Sequence, residues 1–289
     1  MNFSKLLFAA AMAVAVFTSS AAAEQKIRFA VTDVEGMEQL QREYGAFVEE
    51  LEKATGFDVE FTPVNNRTAA VEAMRAEQVD FVLTGPAEYV VFAKLTEAKP
   101  VVSWQRPDYF PQIVVMSEGP IKKLSDLKGQ KVAFGEVGST SQQLGPAQVL
   151  ADAGLKYGAD YGVEIIKRNV AVEAMIRGDV QAVGMNLTHL RSIREKFAGQ
   201  KFTVVGRGAD LPNDIMIAAP FVPKDVVDAV KKAFVEKGDV LMSGVLKGDD
   251  AKKYEGGFFI AEVNDKDYDG VRAMYATIGV PEFSKFLGE

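Results

Sequence analysis

Apolar positions along this chain alternate between two spacings. Short apolar or alternating runs at 27–31, 57–61 and 79–83, and again at 131–134, 163–167, 180–184 and 202–205, read as strands. Between them the apolar residues fall three and four apart. Met37, Leu40, Tyr44, Phe47, Val48 and Leu51 predict a helix that Gly56 stops, and further helices are predicted over 68–76, 140–152, 170–177 and 187–197. Strand, helix and strand in succession imply parallel sheets, because a parallel pair needs a crossover long enough to hold a helix.

The alternation comes in two blocks, which predicts an α/β protein of two lobes, each a mostly parallel sheet flanked by helices. The apolar segments 113–116 and 215–218 are the expected links, one leaving the first lobe and one returning. The lobes then comprise 24–118 with 213–289, and 119–212. A cleft between them is the expected ligand site, since open parallel sheets bind at the carboxyl ends of their strands.

Composition narrows the function. Lys5 precedes an apolar run over 6–17 and the small residues Ala21-Ala-Ala23, the pattern of a secretory signal peptide over 1–23, which places the mature chain outside the cytoplasm. There is no cysteine, so neither a thiolate metal site nor a disulfide is available. The single histidine, His189, reads as a helix-surface residue and argues against a zinc centre or a Ser-His hydrolase. A net charge of −7 disfavours nucleic acid as a partner, though not one small anion met by a local cluster of donors. A binding protein without metal or cofactor is expected, rather than an enzyme, and a monomer is the default for a hinged receptor.

The candidate chemistry centres on Gly135-Glu-Val-Gly-Ser-Thr-Ser-Gln-Gln-Leu-Gly-Pro146, where a strand passes through a glycine turn into a helix. A helix start offers backbone N–H groups without intrahelical partners and the positive end of the dipole, and Ser139, Thr140 and Ser141 add hydroxyls that can donate to an anion's oxygens. The competing role for Ser139 or Ser141 is an ordinary N-cap. An internal similarity, Val71-Glu-Ala-Met-Arg-Ala-Glu-Gln-Val-Asp80 against Val172-Glu-Ala-Met-Ile-Arg-Gly-Asp-Val-Gln181, places Arg67 and Arg168 at matched positions just before a helix in each block. Both are candidates for the cleft, with plain solvation as the alternative.

Thr84-Gly-Pro-Ala-Glu-Tyr89, Leu124-Ser-Asp-Leu-Lys-Gly129, the Ser139-Thr-Ser141 helix start with Pro146, Gly178-Asp-Val180 and Pro212-Asn-Asp214 together resemble the periplasmic phosphonate- and phosphite-binding proteins of ABC transporters. The resemblance spans essentially the whole chain after the leader. It implies the type II two-lobed periplasmic binding fold and a receptor that closes on a small phosphorus oxyanion and delivers it to a membrane permease. The alternative role is a periplasmic sensor of a phosphorus or arsenic oxyanion that presents its closed form to a histidine kinase. Carried across, Ser139, Thr140 and Ser141 match the family's anion-holding hydroxyls, Tyr89 and Tyr109 match family aromatics, and Asp214 matches an acid near the ligand. Tyr89 could instead be a packed core residue, and Asp214 a cap of the Pro212-Asn213 turn. The chain also departs from its relatives. Arg67 stands where many carry a tyrosine, Arg168 or Asn169 near the histidine of aminoalkylphosphonate binders, and Gln181 at a family acid, so that lost acids and gained guanidinium groups favour a ligand without an ammonium group.

Overall fold

Seven of the chain's elements form before it first changes lobe. In the computed structural model, which describes residues 25–32, 34 and 36–288, these are β1 (Lys26–Val31), α1 (Met37–Thr55), β2 (Asp58–Phe61), α2 (Arg67–Arg75), β3 (Phe81–Thr84), α3 (Pro86–Thr96) and β4 (Lys99–Trp104). The expected signal peptide lies outside the described residues. After 105–110 come β5 (Pro111–Met116), β6 (Lys131–Phe134), a π-helical turn (Thr140–Leu144) running into α4 (Gly145–Asp152), β7 (Gly162–Ile165), α5 (Arg168–Arg177), β8 (Ala182–Asn186), α6 (Leu187–Lys196) and β9 (Phe202–Arg207). The chain returns through 208–213 to β10 (Asp214–Ala218), α7 (Lys224–Val245), β11 (Phe259–Ile260) and α8 (Asp269–Thr277).

The first sheet has the order β11-β4-β10-β3-β1-β2 and the second β7-β6-β8-β5-β9. Neighbours β2, β1 and β3 run parallel, as do β7, β6 and β8, whereas β10 and β5 lie antiparallel to both of their neighbours. The two-lobed α/β architecture is therefore as expected, but the sheets are mixed rather than mostly parallel, because each receives a strand from the chain's crossing between lobes that runs against its neighbours, and the assignment of the links also differs. Segments 113–116 and 215–218 are not linkers but sit inside β5 and β10, interior strands of the second and first sheets. The crossings are 105–110 and 208–213, so the second lobe begins at β5 and not after 118. Both strands are apolar because both faces are covered, and a continuous apolar run does not announce which sheet it joins.

α1 forms where its spacing predicts. Leu40, Tyr44, Phe47, Val48 and Leu51 are buried, and the helix ends at Gly56, whose φ of 73° takes the left-handed form and whose N–H reaches the Glu52 carbonyl. Phe47 lies edge-on to Trp104 at 5.0 Å, and with Phe29 and Phe234 these rings pack α1 and α7 onto the first sheet. Such pairs add about 0.5–1.5 kcal/mol each beyond area burial. The opposite face of the sheet is covered by α2, α3 and α8, and Leu144 of the π-helical turn is buried in that same cluster. The second lobe thus anchors its turn in the first lobe's core, and Thr277 of α8 donates to Gln148 of α4 at 2.5 Å beside it.

Candidate functional site

A cavity of about 560 Å³ opens between the lobes, lined from both sides. Its second-lobe wall is built where β6 ends. Gly138 turns the chain with φ 75°, a conformation that favours glycine, and a Cβ there would stand 3.3 Å from Leu287, a tight contact. The turn is closed internally: Gly138 donates its N–H to Gln143 Oε1 at 2.6 Å and Ser139 donates to the Glu136 carbonyl at 3.2 Å. The Ser139 carbonyl then accepts from both Gln143 and Leu144 at 3.0 Å, the wide hydrogen-bonding pattern of a π turn.

The amides of Thr140, Ser141 and Gln142 are left over. None has an acceptor among the described residues, and all three residues line the cavity. Ser139 makes no capping bond with its side chain, which removes the N-cap alternative for it. Two hydroxyls already have a structural task. Thr140 Oγ1 accepts the N–H of Ala87 at 3.0 Å and Ser141 Oγ accepts from Asn186 Nδ2 at 3.0 Å, in each case leaving the O–H as a donor. Ser139, Thr140 and Ser141 are thus brought to the cleft as the sequence implied.

The first-lobe wall carries the charges. Arg67 is the first residue of α2, behind Asn66, whose side chain accepts the Ala69 N–H at 2.7 Å. Its Nη2 stands 3.0 Å from Glu88 Oε1 and 3.1 Å from Glu136 Oε1 across the cleft. The matched arginines do open matched helices, but their fates differ. Arg67 reaches the cavity with its guanidinium held by two carboxylates, so it is not an open fork for an anion. Arg168, first residue of α5, does not line the cavity; it lies behind it, within the field of His189, with Nε buried and unpartnered. Burial pushes its pKa down.

Asp214 does lie in the cleft, but its carboxylate is saturated by the protein and does not cap a turn. Oδ1 meets Arg106 Nη1 at 3.2 Å, while Oδ2 accepts the Tyr254 O–H at 2.7 Å and stands 3.3 Å from Lys253 Nζ. Burial alone would raise this carboxyl, yet Arg106 and Lys253 outweigh it and hold it below the usual range. Arg106 also stacks 3.7 Å over the Tyr109 ring and donates its backbone N–H to Asn213 at 2.9 Å, which ties one lobe crossing to the other. Tyr109 is accordingly in the cavity wall, with burial pushing its phenol up against the pull of Arg106.

Tyr89 is a correction. α3 is buried nearly all round, and this side chain points into the first lobe, its ring 4.5 Å from Tyr268 and its hydroxyl donating to Asp265 at 2.8 Å. The family-like segment meets the cleft through Gly85, Pro86 and Glu88 instead.

His189 is a second correction. It lines the cavity rather than a helix surface, on the first turn of α6. Burial first, then Arg168 and Arg106, push its pKa down to about 3. Sequence reasoning also missed Arg106, Lys253, Glu88 and Glu136. For Arg106 a signal existed: a charged residue before Pro107, between two apolar strands.

Among the described residues no cluster of three or more acids and imidazoles is arranged to hold a metal, and no helix is long and apolar enough to cross a membrane. What the cleft offers, among the described residues, is a patch of amides without acceptors beside hydroxyls that can still donate, together with mutually compensated charges.

The model of the phosphonate ABC transporter periplasmic substrate-binding protein family matches residues 29–256. The chain is 26% identical over 277 residues to the phosphate-import protein PhnD of Mycolicibacterium smegmatis, covering 88% of this chain and 86% of that one. It is 27% identical over 165 residues to a probable ABC transporter phosphite-binding protein, PhnD1, of Prochlorococcus marinus, covering 54% and 55%. The solved structure of PhnD1 from that organism, in complex with methylphosphonate, superposes with a TM-score of 0.66 at 18% identity over 88% of this chain and 98% of that one, a likeness of fold. With the family model spanning most of its length and the two-lobed fold in place around an interlobe cleft, this chain belongs to the phosphonate-binding family of periplasmic substrate-binding proteins of ABC transporters.

Proposed function

We propose that this protein captures a small phosphorus oxyanion, phosphite or a compact phosphonate, in the interlobe cleft and hands it to the membrane permease of an ABC importer. The observation that carries this reading is the set of amides at Thr140, Ser141 and Gln142, which have no acceptor among the described residues and belong to residues lining the cavity at the start of a helix. Donors fixed in place before binding stabilise negative charge without reorganising. The acids of the cleft suit phosphorus better than sulfur. A monoprotonated phosphite or phosphonate can donate its O–H to a carboxylate such as Glu88 or Glu136, whereas sulfate and sulfonates present only bare oxygens there. The relatives bear names of phosphate and phosphite import, and a neighbouring structure holds methylphosphonate, which agrees with that choice.

Binding both walls at once rewards the closed arrangement of the lobes, the form a permease can recognise. No bond is made or broken in this scheme. Among the described residues neither Ser139 nor Ser141 has a carboxylate or imidazole in hydrogen-bond contact. The reading includes export through the leader at 1–23, a periplasmic location and action as a monomer.

Thermal shift and calorimetry on the purified protein test it, with phosphite, methylphosphonate, 2-aminoethylphosphonate, phosphate, arsenate and sulfate as ligands. Phosphite or methylphosphonate should raise the melting temperature most, and sulfate should leave it unmoved. A larger shift with sulfate than with any phosphorus anion would overturn the assignment.

A further inference from the structure

The chain has one imidazole, and in the structure neither of its ring nitrogens is bonded. The backbone of His189 is fixed by a cap, the Asn186 side chain accepting its N–H at 2.9 Å. Nδ1 is enclosed without a partner. Nε2 has no hydrogen-bond partner among the described residues either, but unlike Nδ1 it is not enclosed, and the residue lines the cavity. An enclosed, unsatisfied nitrogen costs stability that a hydrocarbon of similar shape would not, so its retention beside a binding cleft calls for a function.

The charges around the ring decide its state. Arg168, at the start of α5, and Arg106, on the first crossing, are the cations whose charge bears on it. The acids of the cleft are engaged elsewhere, Asp214 with Arg106, Lys253 and Tyr254, and Glu88 and Glu136 with Arg67. A second proton would create an enclosed Nδ1–H donor with no acceptor, in the field of two guanidinium groups. The ring therefore stays neutral. With one proton to place, an N–H on the enclosed Nδ1 would have no acceptor, so the lone pair stays there and the N–H falls on the accessible Nε2.

We infer that the neutral Nε2–H of His189 is a ligand-binding donor, bringing a hydrogen bond from α6 to the oxyanion that the amides of the Thr140–Leu144 turn hold. The inference rests on the oxyanion reading above and adds to it a side chain that the family resemblance does not supply, since the family's histidine would fall near Arg168. It also requires a compromise at position 189: filling it with hydrocarbon should stabilise the empty protein and weaken it as a receptor.

The test uses His189→Leu and His189→Gln, titrated with phosphite and with methylphosphonate, and long-range proton–nitrogen NMR of the single imidazole in protein without an affinity tag. H189L is expected to melt at or above the wild-type temperature while binding about ten-fold more weakly, and H189Q, which can place an amide N–H near the Nε2 position, to bind within about three-fold of wild type. The ring should give the neutral Nε2–H pattern from about pH 5 to 8, and its Nε2 resonance should move on saturation with ligand. Wild-type affinity in H189L, a ring resonance indifferent to ligand, or an imidazolium in the complex would each overturn the inference. Wild-type protein that binds neither anion would overturn the oxyanion reading and this inference with it, whereas tight wild-type binding with a silent His189 would overturn this inference alone.

Discussion

Thr140 Oγ1 accepts the backbone N–H of Ala87 across the cleft at 3.0 Å, so a hydroxyl of the second lobe caps a helix of the first. Ala87 is the second residue of α3, whose own N-cap, Gly85, has no side chain to offer. The hydroxyl at 140 thus ties the two lobes together while its residue lines the cavity proposed to hold the anion. Thr140→Ala should lower anion affinity by about 1–3 kcal/mol, the cost of leaving a buried amide unsatisfied together with any bond lost to the ligand. Thr140→Ser should recover most of it. Calorimetry gives the affinities, and small-angle scattering of the empty protein should show the alanine variant more open. Equal affinity for alanine and wild type would detach this hydroxyl from both tasks.

Arg67 meets Glu88 and Glu136 on opposite sides of the cleft, but the two contacts are not equivalent. Glu136 is 58% exposed and Glu88 only 8%. Glu136→Gln removes a largely solvated pair and should change affinity by about 0–1 kcal/mol, less in high salt. Arg67→Ala removes the cation that compensates two acids in an anion site, so it should weaken binding more than either Glu136→Gln or Tyr109→Phe. Titration of the three variants at two salt concentrations gives the order, and an intact affinity in Arg67→Ala would mean the acids do not face the ligand.

The fold was largely legible because its signals are local. Leu40 to Leu51 declare one buried helix face, Gly56 its end, and Ser139 to Ser141 a helix start after a glycine turn. The failures came from facts that are not local. Ile113–Met116 and Ile215–Ala218 are apolar in the way of any doubly covered strand, and nothing in such a run says which sheet receives it. His189 looked like a surface residue because the spacing of α6 cannot show that this position opens onto a cavity between lobes. Arg106, Lys253 and Asp214 are far apart in sequence and meet only because both lobe crossings pass the same point.

Asp214 ties that meeting point together. Its carboxyl sits below the usual range in the folded protein, so its contribution is fully present above the unfolded value near 3.8 and is lost as pH falls through the lower folded value. The cluster is therefore intact at neutral pH and fails only in acid. Asp214→Asn leaves Arg106 and Lys253 without their carboxylate in a buried setting, a loss of about 3–5 kcal/mol. Urea unfolding at neutral pH should show that loss, and the gap between variant and wild type should narrow as the pH is taken below about 4. A gap that widens in acid would contradict the assigned direction.

Tyr89 separates resemblance from geometry. By resemblance it belongs to the ligand, and its replacement should then cost affinity. In the structure its ring packs on Tyr268 and its hydroxyl donates to Asp265 on the far side of α3 from the cavity. Tyr89→Phe keeps the ring and removes one hydrogen bond to a half-exposed acid, which predicts about 0.5–1.5 kcal/mol lost from folding stability and no change in anion affinity. Parallel melts and titrations of the purified variant measure the two quantities independently. A ten-fold weaker titration with an unchanged melt would return the tyrosine to the ligand and require α3 to turn toward the cleft.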